Sequence, residues 1–349
     1  MNSMYIRAAA VISPQSSFEQ ILADPAPVTG SRLQCMEPDY AKLIDPKMIR
    51  RMSRIIKMGV AAAMQCLKEA GEKMPDAIIA GTAYGCLGDT EVFLQKMVEH
   101  DEQLLTPTAF IQSTHNTVAA QIALLLKCHS YNNTFVQRGF SFENAMTDAL
   151  SLLKEGQMKA VLAGGIDEIT DTSHTILKRF GLYKKEPFPA GNIFQTGSKG
   201  TIAGEGASFF VLQPAASGND YAQLKGMDTF YKPASAEEIR QHISAFLERQ
   251  NIDSADIDLV ISGENGDMKN DAVYDMVYQT VLTGIAHIPF KHLSGEYPTA
   301  SAFALWLAAN ILKTGKLPGG IQTKKSPSTV LIYNHYQHIY HSLYLLAVC

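Results

Sequence analysis

The stretch Asn133–Leu150, NTFVQRGFSFENAMTDAL, decides how the chain is read. Thr134–Gln137 is β-branched and aromatic, the composition of a short buried strand. Phe142, Ala145, Met146, Ala149 and Leu150 then recur at helical spacing, which makes one face of the next segment apolar. Ser141 stands where a helix N-cap belongs. A strand that turns tightly into a helix aims backbone N–H groups at one point, and the helix dipole there stabilises an anion. Enzymes place a nucleophile at such an elbow. The residue at this turn is Gly139, which has no side chain to offer.

On both sides of the elbow, short apolar runs alternate with helical patterns. Upstream, Met4–Ser13 reads as a strand and Pro46–Gly71 as one helix closed by Gly71. Ala77–Gly81 (AIIAG) has the unbroken apolar character of a strand covered on both faces. Asp89–Glu99 and Thr117–Leu126 read as helices. Downstream, Ala160–Gly165 and Ile202–Leu212 read as strands, and QPAASGND (Gln213–Asp220) as a linker.

The pattern then restarts. Gln223–Tyr231 and Leu259–Ser262 read as strands, and Ala236–Arg249, with Ser235 as cap, as a helix. Asp271–Thr283 and Thr299–Thr314 read as helices, and Ser328–Ile332 and Ser342–Val348 as closing strands. The alternation implies an α/β protein with parallel βαβ units, and the restart implies two related halves, residues 1–215 and 221–349.

A length of 349 residues accommodates two such halves. A net charge of −4 gives no basic field for nucleic acid or an anionic membrane. Five singly scattered cysteines form no CxxC pair and suggest a reducing, cytoplasmic setting. The opening MNSMYIRAAAVIS lacks the pattern of a signal peptide, and no apolar run is long enough for a membrane span. Cys86, in a turn before a helix, is the rival nucleophile. His338 and His341 have i, i+3 spacing, but no cysteine or carboxylate completes a zinc set, so no metal site is expected.

Six landmarks in order carry a family resemblance: RRMSRIIKMGVAAAMQCLKEAG, GTAYG, PTAFIQSTHNTVAAQIA, AVLAGGIDEIT, FGLYKK and GEGASFFVL. The chain resembles the β-ketoacyl-acyl-carrier-protein synthases (ketosynthases) of the thiolase superfamily. That resemblance implies a five-layer αβαβα fold of two pseudo-symmetric halves that dimerises through the strand beside the elbow. It also implies acyl or malonyl groups carried by phosphopantetheine on a partner acyl carrier protein, with no cofactor bound to the chain itself. Ketosynthase chemistry needs an elbow cysteine to hold the acyl thioester, and two histidines, or a histidine and an asparagine, to assist decarboxylation and stabilise the enolate.

Carried over residue by residue, the cysteine position falls on Gly139, the first histidine on Gly263 in SGENGDMKND, and the second on Glu296 in FKHLSGE. Lys291 is retained, and the glycine-rich oxyanion loop becomes NHYQHIY, Asn334–Tyr340. None of the three catalytic side chains remains. The chain is therefore similar to a chain length factor, an inactive subunit that pairs with an active ketosynthase and shapes the acyl tunnel. Its segments look most like the ketosynthase-like proteins of aryl-polyene and dialkylresorcinol clusters.

Phe110, Gln112, His115, Asn116, Arg138, Phe140 and Phe142 become candidates for the tunnel or interface. Each has a plainer reading: Phe140 and Phe142 as core, Arg138 as a backbone partner, His115 as a structural histidine. Lys291 and Glu296 are expected to pair in the old active-site volume. Two rival functions stay open. One is an acyltransferase or condensing enzyme on the same scaffold using His115, Asn116, Glu264 and Glu296; the other is a structural homodimer.

Overall fold

The computed structural model describes residues 4–27, 30–185, 193–321, 323 and 325–349. The apolar runs become β1 (Met4–Ile12), β2 (Ala77–Gly81), β3 (Tyr131–Phe135), β4 (Val161–Asp167) and β5 (Gly206–Gln213). After a loop come β6 (Ala222–Tyr231), β7 (Leu259–Ser262), β8 (Ala286–Pro289), β9 (Thr329–Tyr336) and β10 (Tyr340–Ala347). The helices between β1 and β3 are α1 (Phe18–Ala23), α2 (Pro46–Ile49), α3 (Arg54–Ala70), α4 (Leu87–Glu99), α5 (Pro107–Gln112) and α6 (Thr117–Leu126). Those that follow are α7 (Ser141–Lys154), α8 (Asp171–Arg179), α9 (Ala236–Arg249), α10 (Met268–Thr280), α11 (Lys291–Ser294) and α12 (Ser301–Thr314).

The strand order is β3-β2-β4-β5-β1-β6-β10-β9-β7-β8. From the β3 edge inward the first five strands follow an order that the last five repeat from the β8 edge. The directions repeat as well. β2 is parallel to β3 and β4, while β5 is antiparallel to β4 and β1. β7 is parallel to β8 and β9, while β10 is antiparallel to β9 and β6. This is the pseudo-symmetry expected from the restart. The expected parallel βαβ units lie at β3-β2-β4 and β8-β7-β9, while β5 and β10 each return antiparallel to their neighbours. The halves join where Met4–Ile6 of β1 pairs with Ala222–Leu224 of β6.

Five layers result. α3 and α6 cover the outer face of the first sheet, and α9 and α10 that of the second. Between the sheets lie α7 and α12, and α12 touches β1 and β5 on one side and β9 and β10 on the other. Nearly every residue of SAFALWLAANILKT is buried, as a helix apolar on all sides must be. Phe142 of α7 spans the same gap, with its ring 5.9 Å from Phe210 of β5 and 6.2 Å from Tyr344 of β10. Phe142 is therefore part of the core.

Four local expectations are corrected. The helix expected over Pro46–Gly71 is two helices, because extended backbone at Ser53 (φ −69, ψ 173) interrupts it. That break brings Arg54 onto the buried carboxylate of Glu205 through two bonds of 2.6 and 2.7 Å. The strand expected at Thr134–Gln137 lies at Tyr131–Phe135 and is partly exposed, since it is an edge strand with only β2 beside it. Ser141 does not cap α7 but is its first residue. Its hydroxyl donates to the Arg138 carbonyl and accepts the Gln137 N–H, both at 2.8 Å, which closes the turn instead. The helix expected at Asp271–Thr283 begins earlier, at Met268, because the Asp267 carboxylate caps it.

One buried acid lies in the middle layer. Glu143 of α7 accepts a 2.6 Å hydrogen bond from Ser301 of α12 and is 1% exposed. Burial raises its pKa to about 7, against which the Ser301 bond works. The folded state thus holds a proton on Glu143 from the ordinary range near 4.5 up to about 7, where the unfolded chain does not. Its contribution is complete below that window and is lost as pH rises through it. Glu143→Gln should therefore lessen the fall in Tm between pH 5 and pH 8 and raise Tm at pH 8. Thermal melts of both proteins across that range provide the check.

Candidate functional site

The elbow is built from the end of β3, a tight turn over Arg138–Phe140, and the start of α7. Arg138 adopts a left-handed backbone (φ 49) and its side chain is exposed. Gly139 is buried, and what covers it is Tyr340, the first residue of β10. A Cβ on Gly139 would lie 2.8 Å from Tyr340 Cβ and Cγ and 2.9 Å from Cδ2. The Phe140 ring meets Tyr340 edge-on at 5.0 Å, and Tyr231 stands 5.4 Å from Tyr340. An aromatic cluster thus occupies the space of an elbow side chain. Phe140 belongs to that cluster, with 9% of its surface exposed.

Asn334–Tyr340 forms a β-hairpin and not a free loop. β9 continues to Tyr336, and Gln337 and His338 turn with positive φ (55 and 56) before β10 begins. Its register delivers Tyr340 to the elbow, two hundred residues away in sequence. The plain order of residues carries no sign of this contact, beyond the absence of a side chain at Gly139.

Gly263, at the end of β7, is equally closed. A Cβ there would lie 2.3 Å from Asn334 Oδ1 and 2.5 Å from the Tyr274 hydroxyl. Glu264 turns back to Ser262 and accepts the Tyr278 hydroxyl at 3.0 Å. Asp271 accepts the N–H groups of Asn265 (2.9 Å) and Gly266 (2.7 Å), which shapes the loop that presents Asn265.

At the third position Glu296 is 5% exposed and Lys291 is 1% exposed. Lys291 Nζ donates to Glu296 Oε2 at 2.8 Å and to the His335 carbonyl at 2.7 Å. Asn265 Nδ2 donates to the same carboxylate oxygen at 2.5 Å. Burial pushes the Glu296 carboxyl up, and Lys291 opposes the shift. Glu296 Oε1 has no hydrogen-bond partner. Beside the pair, His335 stacks on Tyr274 at 5.1 Å and is held neutral by burial, its pKa well below the usual histidine range.

The remaining candidates lie elsewhere. Phe110 is 57% exposed against Phe93, and Gln112 Nε2 donates to the Arg51 carbonyl at 2.6 Å. His115 and Asn116 are exposed, with His115 packed over Gly85. Ile111, Leu124 and Val136 are exposed as well. Cys86 is fully buried and burial pushes its thiol far above the usual range, which removes it as a nucleophile. Among the described residues no group of three or more His, Cys, Asp or Glu could hold a metal ion, and no helix is long and apolar enough to cross a membrane. Sequence reasoning missed the roles of Tyr340 and Asn265, which act on Gly139 and Glu296, positions distant in the chain.

Residues 29–236 match the family described as "Beta-ketoacyl synthase, N-terminal domain", more than half of the chain. A Streptomyces rimosus protein described as β-ketoacyl synthase 1 of the oxytetracycline polyketide is 22% identical over 312 residues, covering 80% of this chain and 73% of its own. The 3-oxoacyl-[acyl-carrier-protein] synthase 2 of Synechocystis is 25% identical, over 50% of this chain and 44% of its own length. The chain thus spans most of the first relative and under half of the second. Solved structures that match its full length include the ishigamide ketosynthase/chain length factor (TM-score 0.82, 16% identity, 99% of that chain) and a β-ketoacyl synthase from Burkholderia phymatum (0.80, 16%, 100%). A type II polyketide acyl carrier protein in complex with its ketosynthase bound to the hexaketide matches at 0.76 and 13% identity, over all of this chain and 99% of that one. These likenesses establish the thiolase-like ketosynthase fold.

Two outcomes follow from the packing. Gly139→Cys should destabilise the protein by about 1–3 kcal/mol through overpacking against Tyr340, and adding Tyr340→Ala should remove that increment, measured by urea unfolding as a double-mutant cycle. Lys291→Met should cost about 3–5 kcal/mol because it strands Glu296 in the interior. The double variant Lys291→Met, Glu296→Leu should recover part of that loss in the same assay.

Proposed function

Because the chain belongs to the β-ketoacyl synthase family, we infer that it is a non-condensing member, a chain length factor-type subunit that pairs with an active ketosynthase. The observation that carries this reading is Tyr340 lying where a side chain of Gly139 would be. The elbow lacks its nucleophile and also the room for one. Without an elbow thiol no acyl thioester forms on this chain. At the second histidine position a carboxylate bound to Lys291 stands in place of an imidazole, and it would repel a developing enolate.

In this reading residues 1–215 form the half with the vestigial elbow and 221–349 the second half. The exposed apolar residues Phe110, Ile111, Leu124 and Val136, with the unpaired edge of β3, would receive the partner. Gln112, His115, Asn116 and Arg138 are then the polar residues placed to meet the partner's acyl tunnel. The acyl group would remain on the phosphopantetheine of an acyl carrier protein, in a cytoplasmic fatty-acid or polyketide-type pathway. The finer assignment is an aryl-polyene or dialkylresorcinol system. The rival acyltransferase reading needs His115, Asn116, Glu264 and Glu296 to act together. Glu264 and Glu296 instead bind Tyr278 and Lys291, while His115 and Asn116 lie on the exposed surface.

The test is co-expression with a ketosynthase that keeps its cysteine and is encoded beside this chain. The expected outcome is co-elution as a heterodimer on size exclusion, with mass spectrometry showing acylation of the partner alone after incubation with acyl-acyl carrier protein. A lone homodimer, or a product formed by the isolated chain and lost in His115→Ala, would overturn the reading.

A further inference from the structure

The end of the β9–β10 hairpin is held by histidines. β9 pairs with β7 only as far as Tyr333, so residues 334–340 lie beyond that strand. Here the ring centroids of His335, His338 and His341 stand 5.3–5.4 Å from one another. His335 and His341 are fully buried, and His338 is half-buried. Two backbone groups fix the state of His335. Its Nδ1 accepts the His338 N–H at 3.2 Å, and its Nε2 lies 3.2 Å from the Asn270 carbonyl of α10. A carbonyl can only accept and an N–H can only donate, so the ring is neutral with its proton on Nε2. A second proton would sit on Nδ1, directly against the His338 N–H. The bond it would break closes a turn in which Gln337 and His338 both hold a left-handed backbone, a conformation with its own cost.

We propose that this end of the hairpin is a pH-sensitive latch: protons taken up by His335 and His341 release the turn, lift Tyr340 and uncover Gly139, while the rest of the sheet stays folded. Among the described residues neither ring has a carboxylate as hydrogen-bond partner. On the α11 side, Lys291 bonds the His335 carbonyl, and Glu296 answers Lys291. On the α10 side, Tyr274 stacks on His335, and Asp271 is turned to the N–H groups of Asn265 and Gly266. Glu264 is turned to Ser262 and Tyr278. His341 Nδ1 meets the Tyr333 hydroxyl at 3.1 Å, and its Nε2 has no partner. Its ring stacks at 4.7 Å on Phe230, which stacks at 4.3 Å on His242 of α9, a residue 3.7 Å from Glu238.

Burial, the neighbouring histidines and Lys291 all disfavour a charge on either ring, which holds His335 well below the usual histidine range and His341 at about 3. Once the hairpin opens, both rings return to the ordinary value near 6.5. Closure is therefore complete above that pH and weakens as pH falls below it, approaching about tenfold per pH unit for each ring that gains a proton. The latch lies within this chain alone. Its failure would leave the pairing with a ketosynthase untouched.

The test is hydrogen–deuterium exchange on the full chain, read by mass spectrometry from pH 7.5 to pH 5 and corrected for the intrinsic exchange rate at each pH. Protection over residues 335–340 should fall by about sixtyfold between pH 6 and pH 5, the change expected for two rings. The Phe140 N–H, bonded to the Gln137 carbonyl at 3.0 Å, should lose protection in step as Tyr340 leaves the elbow. β2 should keep its own protection. His341→Phe retains the stack on Phe230 and removes one proton, so the fall should shrink to about eightfold. The unsubstituted series decides by itself if that variant does not fold. Hairpin protection that is constant with pH, a fall shared by β2, an elbow that stays protected, or an undiminished fall in His341→Phe would each overturn the proposal.

Discussion

A lysine ammonium withdrawn from water must find an anion, and much of this protein's second half is arranged by that requirement. Lys291 is buried on every side, so its position demands Glu296 at 2.8 Å and the His335 carbonyl at 2.7 Å. Glu296 then needs Asn265, and Asn265 needs the loop that Asp271 shapes through the N–H groups of Asn265 and Gly266. The His335 carbonyl belongs to β9, so the same lysine anchors the hairpin that continues to Tyr340. One buried charge thereby couples the loop after β7, the turn before α12 and the β9–β10 hairpin.

Much of the fold was legible in the chain. Ala77–Gly81, Thr117–Leu126, Ala236–Arg249 and Leu259–Ser262 appear at the expected bounds, because local apolar patterning and the cap at Ser235 determine them. Errors gathered where a distant partner overrides local preference. Ser53 breaks a helix so that Arg54 can reach Glu205, and Ser141 gives its hydroxyl to the elbow turn and not to the helix. The site shows the same division. Missing side chains at Gly139 and Gly263 are visible in sequence, whereas Tyr340, Asn334 and Tyr274, which fill those places, are brought there only by strand register.

The two sheets also constrain each other. α12 is shared property, since it packs on β1 and β5 on one side and on β9 and β10 on the other, while α7 packs on β2 and β4 and reaches β10 through Phe142. Phe142 contacts both, and Glu143 is tied to Ser301 across the layer. The elbow helix is therefore needed for packing whatever stands at its first turn.

The tyrosine over Gly139 bears on how such a chain could change by successive substitutions. A cysteine arriving at the elbow meets an occupied space, and a smaller residue arriving first at position 340 opens a void among Phe140 and Tyr231. Either order passes through a less stable intermediate. The packing works as a ratchet: with an aromatic ring settled over the turn, any route to a side chain at that turn runs uphill at each single step.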